Sequence, residues 1–190
     1  MPILVVQPQW KLGNEPEVEN ISIPSSIAGN MKTVDLMVRV ARERAGHPIV
    51  RSLALNILNS ARIDSHQYLD EAEAIGRFVQ RHVTYVRDAV GFEQVHDPIL
   101  MIEKISSGEA RGDCDDMALL IATLLLSIGH YPFFRIVKYR SSFGSYNHIY
   151  VVDYERNGYE KRERLVLDAI IKDRPIGFEV KHAYGREIPI

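Results

Sequence analysis

The feature that most constrains this chain is the run Met117–Ile128 (MALLIATLLLSI), interrupted only by Thr123 and Ser127. A bilayer-spanning helix needs roughly 20 apolar residues, so this run is too short to cross one. As a helix it is apolar on nearly every side, and such a helix belongs at the centre of a domain with other elements packed all round it. Gly129 and Pro132 supply a natural stop. A chain of 190 residues is long enough to build that surrounding layer as one domain with a sizeable core.

The flanking sequence divides in two. Before the central run the apolar spacing is helical. Val34, Met37, Val38 and Ala41 recur at threes and fours from Met31. A second helix is expected from Pro48 to about Ser60, and a third over roughly Ser65–Val83, with Asp70, Glu71 and Glu73 near its start. Val83–Arg87 reads as a short extended piece and Asp97–Ser107 as a short helix ended by Gly108. After the central run the pattern changes to strands at Phe133–Arg140, Asn147–Glu155 and Arg164–Ile170, with Asn157-Gly158 as a hairpin turn. Helices followed by a meander predict an α+β fold, an antiparallel sheet packed on the buried helix. Residues 1–30 hold four of the nine prolines and no helical period. They read as an extended N-terminal arm or edge strand, with Ile3–Val6 its apolar part, followed by a loop, and their Trp10, Leu12, Ile21 and Ile23 are expected to pack on the domain at 31–190 or on a neighbour.

Composition excludes several functions. With 23 basic and 25 acidic residues, a pI near 6.4 and no basic run, the footprint of a general nucleic-acid binder is absent. The N-terminus has no basic region ahead of its apolar stretch, which argues against a secretory signal and for a cytoplasmic protein without a membrane partner. One cysteine rules out intrachain disulfides and cysteine-rich zinc sites. No His-x-x-x-His or Cys-x-x-Cys pair exists, so a metalloenzyme is disfavoured and no metal is expected.

That cysteine, Cys114, lies where the polar stretch Gly108–Asp116 meets the central helix. The first turn of a helix offers unpaired N–H groups and a positive dipole end, which stabilise a thiolate and can hold an oxyanion. Gly112 permits unusual backbone and leaves room beside the sulfur. A thiol nucleophile needs a base, and the base an orienting group. His148 opens one strand and Asp168 closes the next. Counting back from a turn centred on Asn157-Gly158 leaves Asp168 one residue from the position opposite His148, so a longer loop or a bulge would bring the two together. The opposite reading is a buried structural thiol. Asp113, Asp115 and Asp116 suit a helix N-terminus, or a weak cation site of no recognised spacing, and their charge opposes thiolate formation.

Three blocks also resemble the transglutaminase-like (papain-like thiol) superfamily: Arg111-Gly112-Asp113-Cys114-Asp115-Asp116, Asn147-His148-Ile149-Tyr150-Val151 and Leu165-Val166-Leu167-Asp168. The likeness covers about Leu69–Phe178, with Val83–Asp88 and Asp97-Pro98 as the approach to the nucleophile. It implies a papain-like fold, a Cys114–His148–Asp168 triad, peptide or amide hydrolysis or acyl transfer on a protein or peptide substrate, and no cofactor. A chain of this size has no room for the extra domains and calcium sites of large animal transglutaminases, so no calcium requirement is expected. For the oxyanion the resemblance points to Tyr85, with Asn147 and Gln94 as substitutes. Tyr150 and Ala169 depart from the family's usual tryptophan and proline. The doubled acid after Cys114, Gly129-His130 and Pro175–Phe178 look most like short phage and prophage members. The rival to an enzyme is therefore a non-catalytic structural or interaction module, a virion component whose arm grips neighbouring structural proteins.

Overall fold

A computed structural model describes residues 2–7, 17–22, 27–88, 93–139, 146–157 and 160–190. The central run forms a helix over Cys114–Ser127, and every residue from Asp115 to Leu125 is buried. Its two interruptions are satisfied within the helix: Thr123 Oγ1 donates to the Leu119 carbonyl at 2.7 Å and Ser127 Oγ to that of Leu124 at 2.6 Å. At roughly 1.5–3 kcal/mol for each large apolar side chain fully buried, Leu119, Leu120, Ile121, Leu124 and Leu125 anchor the whole domain.

In chain order the elements are β1 (Pro2–Gln7), β2 (Glu17–Ser22), α1 (Ile27–Ala45), α2 (Pro48–Ala61), α3 (Tyr68–His82), β3 (Thr84–Tyr85), β4 (Glu93–His96), α4 (Pro98–Ser106), β5 (Arg111–Gly112), the central α5, β6 (Phe133–Lys138), β7 (His148–Asn157), β8 (Glu160–Leu167) and β9 (Tyr184–Pro189). Helices α1 to α4 gather round one side of α5, and the antiparallel sheet β8-β7-β6-β9 covers the other. This is the α+β arrangement expected, with helices N-terminal and the Cys114 helix packed on the sheet. Proline starts two helices as its fixed φ allows: Pro48 follows the cap His47, whose ring accepts from Ile49 N–H, and Pro98 follows Asp97. Buried Asp97 also receives Arg44 at 2.6 Å, pinning α1 to α4.

Alternation sorts the sheet residues. Phe134, Ile136, Ile149, Val151 and Leu167 join the core around α5, while Val137, Tyr150, Val152 and Val166 form a second cluster on the opposite face. Strand β9 was not expected from the sequence; it pairs with β6 along Phe133↔Pro189 to Lys138↔Tyr184. In the segment read as an arm, β1 lies between β2 and a parallel β4, and the boundary at residues 30 and 31 falls inside α1. Trp10, Leu12 and Ile23 lie outside the described residues.

The β7–β8 register corrects the counted one. The hairpin closes at Asn157↔Glu160, and a bulge between Tyr154 and Arg156 shifts the pairing to Val151↔Leu167. Extending that register puts Asp168 opposite Tyr150, two residues from the position facing His148. An offset of two keeps both side chains on one face, so they meet diagonally rather than directly across.

Candidate active site

Three segments converge where α5 begins. Strand β5 delivers the chain to the helix and pairs in parallel with β3, through Thr84 N–H to the Ala110 carbonyl and Val86 N–H to that of Gly112, both 2.9 Å. Gly112 is needed for a reason other than the one expected. Its backbone is not left-handed, but a Cβ there would lie 2.6 Å from the Cβ of Asp116. Asp116 is buried, and both its oxygens hold His96, one through the backbone N–H at 2.7 Å and one through Nδ1 at 2.8 Å. The glycine therefore admits a buried carboxylate.

Asp113 and Asp116 form a reciprocal cap. The Asp113 side chain accepts from Asp115 N–H at 2.9 Å and from Asp116 N–H, while Asp116 accepts from Asp113 N–H at 3.2 Å. Their own helix start thus explains these two acids. It also consumes most of the N–H groups of the first turn, leaving that of Cys114 for other work. Asp115 lies beside Cys114, whose thiol donates to its Oδ1 at 3.4 Å. Ligand atoms of Asp113, Cys114 and Asp115 fall within 4.8 Å of one another, the only such cluster among the described residues.

Cys114 opens into a cavity of about 220 Å³ whose walls include Asn30, Thr33, Tyr85, Arg87, Asp113, Asp115, Tyr146, Asn147, His148 and Ile149. His148, the first residue of β7, is buried, and its Nε2 lies 2.8 Å from Asp168 Oδ2. Among the described residues no hydrogen bond engages the other ring nitrogen, Nδ1. Rings of Tyr139 and Tyr150 flank the imidazole, with centroids at 5.8 and 5.5 Å. Burial pushes the Tyr139 phenol up to about 12, helped by the nearby Asp168 and Cys114. Of the oxyanion candidates, Tyr85 and Asn147 line the cavity and Gln94 does not.

The electrostatics run against the expected thiolate. Burial first, then the charges of Asp115 and Asp113, hold the Cys114 thiol well above the ordinary thiol range, with only the Ile149 N–H lowering it.

A residue that sequence reasoning passed over is His130. It is buried between two carboxylates, Nε2 at 2.8 Å from Glu71 and Nδ1 at 2.5 Å from Asp153, joining α3, the end of α5 and β7. The Gly129-His130 pair was visible in the chain, but neither partner is near it in sequence.

No protein-family model and no curated protein sequence matches this chain. Among solved structures it is similar to Legionella pneumophila LapG, at 18% identity and a TM-score of 0.41 over 82% of this chain and 78% of that one. The EGTA-treated form of that protein matches at 18% identity and 0.41 over 82% and 76%, and its calcium-bound form at 18% and 0.40 over 80% and 76%. A likeness this loose carries no residue role, substrate or ion to the present chain, and the phage resemblance draws no support from it. Among the described residues no helix is long and apolar enough to cross a membrane.

Proposed function

We propose that the chain is a transglutaminase-like thiol enzyme acting on amide bonds of proteins or peptides, with Cys114 as nucleophile, His148 as base and Asp168 as the group that orients it. The observation that carries this reading is the buried His148–Asp168 hydrogen bond on the wall of the cavity that holds Cys114. Three groups scattered over the sequence, joined by helix start, strand start and strand end, answer the needs of nucleophilic catalysis. Nδ1 takes the thiol proton as the sulfur attacks the amide carbonyl, and the Cys114 N–H receives the developing oxyanion, with Tyr85 as a second donor. The imidazolium then protonates the departing amine, leaving a thioester. Water, giving its proton to His148, releases the acid and restores the thiol; a primary amine in place of water gives a new amide.

The test is dimethylcasein incubated with and without a fluorescent primary amine. Wild type is expected to cleave, deamidate or label it and Cys114→Ser to leave it intact; equal results with the two chains would overturn the reading. A second reading, a non-catalytic interaction module, is favoured by one observation: the thiol donates to Asp115 and is held protonated by burial and two carboxylates. It predicts no reaction of Cys114 until the chain unfolds.

A further inference from the structure

We propose that the outer edge of β3 is the docking site for an extended peptide, with the backbone N–H and C=O of Tyr85 pairing with the main chain of the substrate beside Cys114. This rests on the thiol-enzyme reading and adds to it the conformation of the substrate and the group that holds it.

The argument begins with the parallel pairing of β3 and β5. Thr84 and Val86 turn their N–H groups to β5, and successive residues of a strand point these groups to opposite edges. Tyr85 between them therefore presents its N–H and C=O to the far edge, where no described residue receives either. Among the described residues β5 is the one strand paired with β3, and on the far edge Lys172 Nζ reaches the Val83 carbonyl at 2.7 Å, short of Tyr85. Lys172 blunts the start of this edge, as charge often does, but past it Tyr85 and Val86 are exposed, at 37% and 46%. An open edge with exposed apolar side chains fits a peptide that adds as a further strand, its main chain supplying the hydrogen bonds and its side chains meeting the rings.

Position makes the edge a substrate site rather than a general hazard. Tyr85 pairs with Gly112, two residues before Cys114, and Tyr85 and Arg87 both line the cavity of the thiol. A peptide in register with Tyr85 therefore runs with β3 between it and β5, along the rim of the cavity that holds Cys114. Two main-chain hydrogen bonds hold an amide carbonyl in place without reading its side chain, so the site selects an extended backbone first.

Three electrophiles test this: chloroacetone, a blocked dialanyl chloromethyl ketone, and the same ketone N-methylated at the amide between its two alanines. In each, the Cys114 sulfur displaces chloride to form a thioether, the thiol proton leaving through His148 to solvent. Rates are divided by those with glutathione, which removes intrinsic reactivity. The peptidyl ketone is expected to exceed chloroacetone by about 10-fold. N-methylation, which removes the donor to the Tyr85 C=O, and Tyr85→Pro, which deletes the Tyr85 N–H, are each expected to cut that ratio by about 3- to 10-fold, the range of one hydrogen bond. A ratio near one in wild type, or a ratio unmoved by both changes, overturns the pairing while leaving the thiol chemistry standing. Failure of chloroacetone itself to alkylate the folded chain overturns both.

Discussion

Two buried histidines in this domain meet carboxylates, and they differ in what their second nitrogen does. His130 has both ring nitrogens engaged, by Glu71 and Asp153, and is closed in by the edge of the Tyr68 ring at 5.2 Å. His148 gives one nitrogen to Asp168 and lines the cavity of the only cysteine. The first is a pin across three elements; the second is mounted from behind and open in front. A histidine is equipped for proton transfer by the nitrogen that its fold leaves unspent, not by burial or by a carboxylate partner as such.

The contrast can be broken most directly through stability. His130→Ala strands two buried carboxylates and is expected to cost about 3–5 kcal/mol, read from the midpoint of urea unfolding. His148→Ala strands only Asp168, and a loss of about 1–3 kcal/mol is expected. Equal losses would mean that His148 is a pin as well. A third pair, His96 with Asp116, sharpens the point at the helix start: Gly112→Ala drives a Cβ into Asp116 and is expected to cost about 1–3 kcal/mol in the same assay.

A smaller effect lies in the pH dependence. The hydrogen bonds and charges of Asp153 and Glu71 outweigh desolvation and raise the pKa of His130 above its ordinary 6.5. A raised folded pKa contributes stability that is fully present below the unfolded value and is lost as pH rises through the folded one. Wild type should therefore lose stability on moving upward from pH 6.5, and His130→Gln should show a flatter profile over the same range. A matching slope in the variant would place the titration elsewhere. The smallest effect concerns the thiol: Asp115→Asn removes one of the charges holding Cys114 protonated, so alkylation at pH 8 should quicken several-fold.

The helices were legible in the chain almost to their ends. Their signals are local: Pro48 and Pro98 at first positions, Gly129 after α5, the spacing of Val34, Met37 and Ala41. The candidate site was read from three junctions, Cys114 at a helix start, His148 at a strand start and Asp168 at a strand end, and the structure joins the last two by a hydrogen bond and puts Cys114 and His148 on one cavity. The rest depended on pairing over distance. No local pattern announces that β1 lies beside β4 or that β9 completes the sheet on β6. The bulge after Tyr154 changed the register by one residue, which turn counting cannot supply. Of the acids after Gly112, the fit to a helix start and the opposition to a thiolate were legible, but not that Asp116 also holds His96 or that Asp115 accepts from the thiol itself.

The central claim is that His148, oriented by Asp168, draws the proton from Cys114. Iodoacetamide alkylation of the folded chain from pH 5 to 10 reads it directly, since all the signal belongs to one cysteine. Left to burial and its two acidic neighbours, the thiol would react only at high pH. The account predicts measurable alkylation at pH 7 that falls at least about 10-fold in both His148→Ala and Asp168→Asn. A wild-type profile that rises only above pH ~9, or one that His148→Ala leaves unchanged, would contradict it.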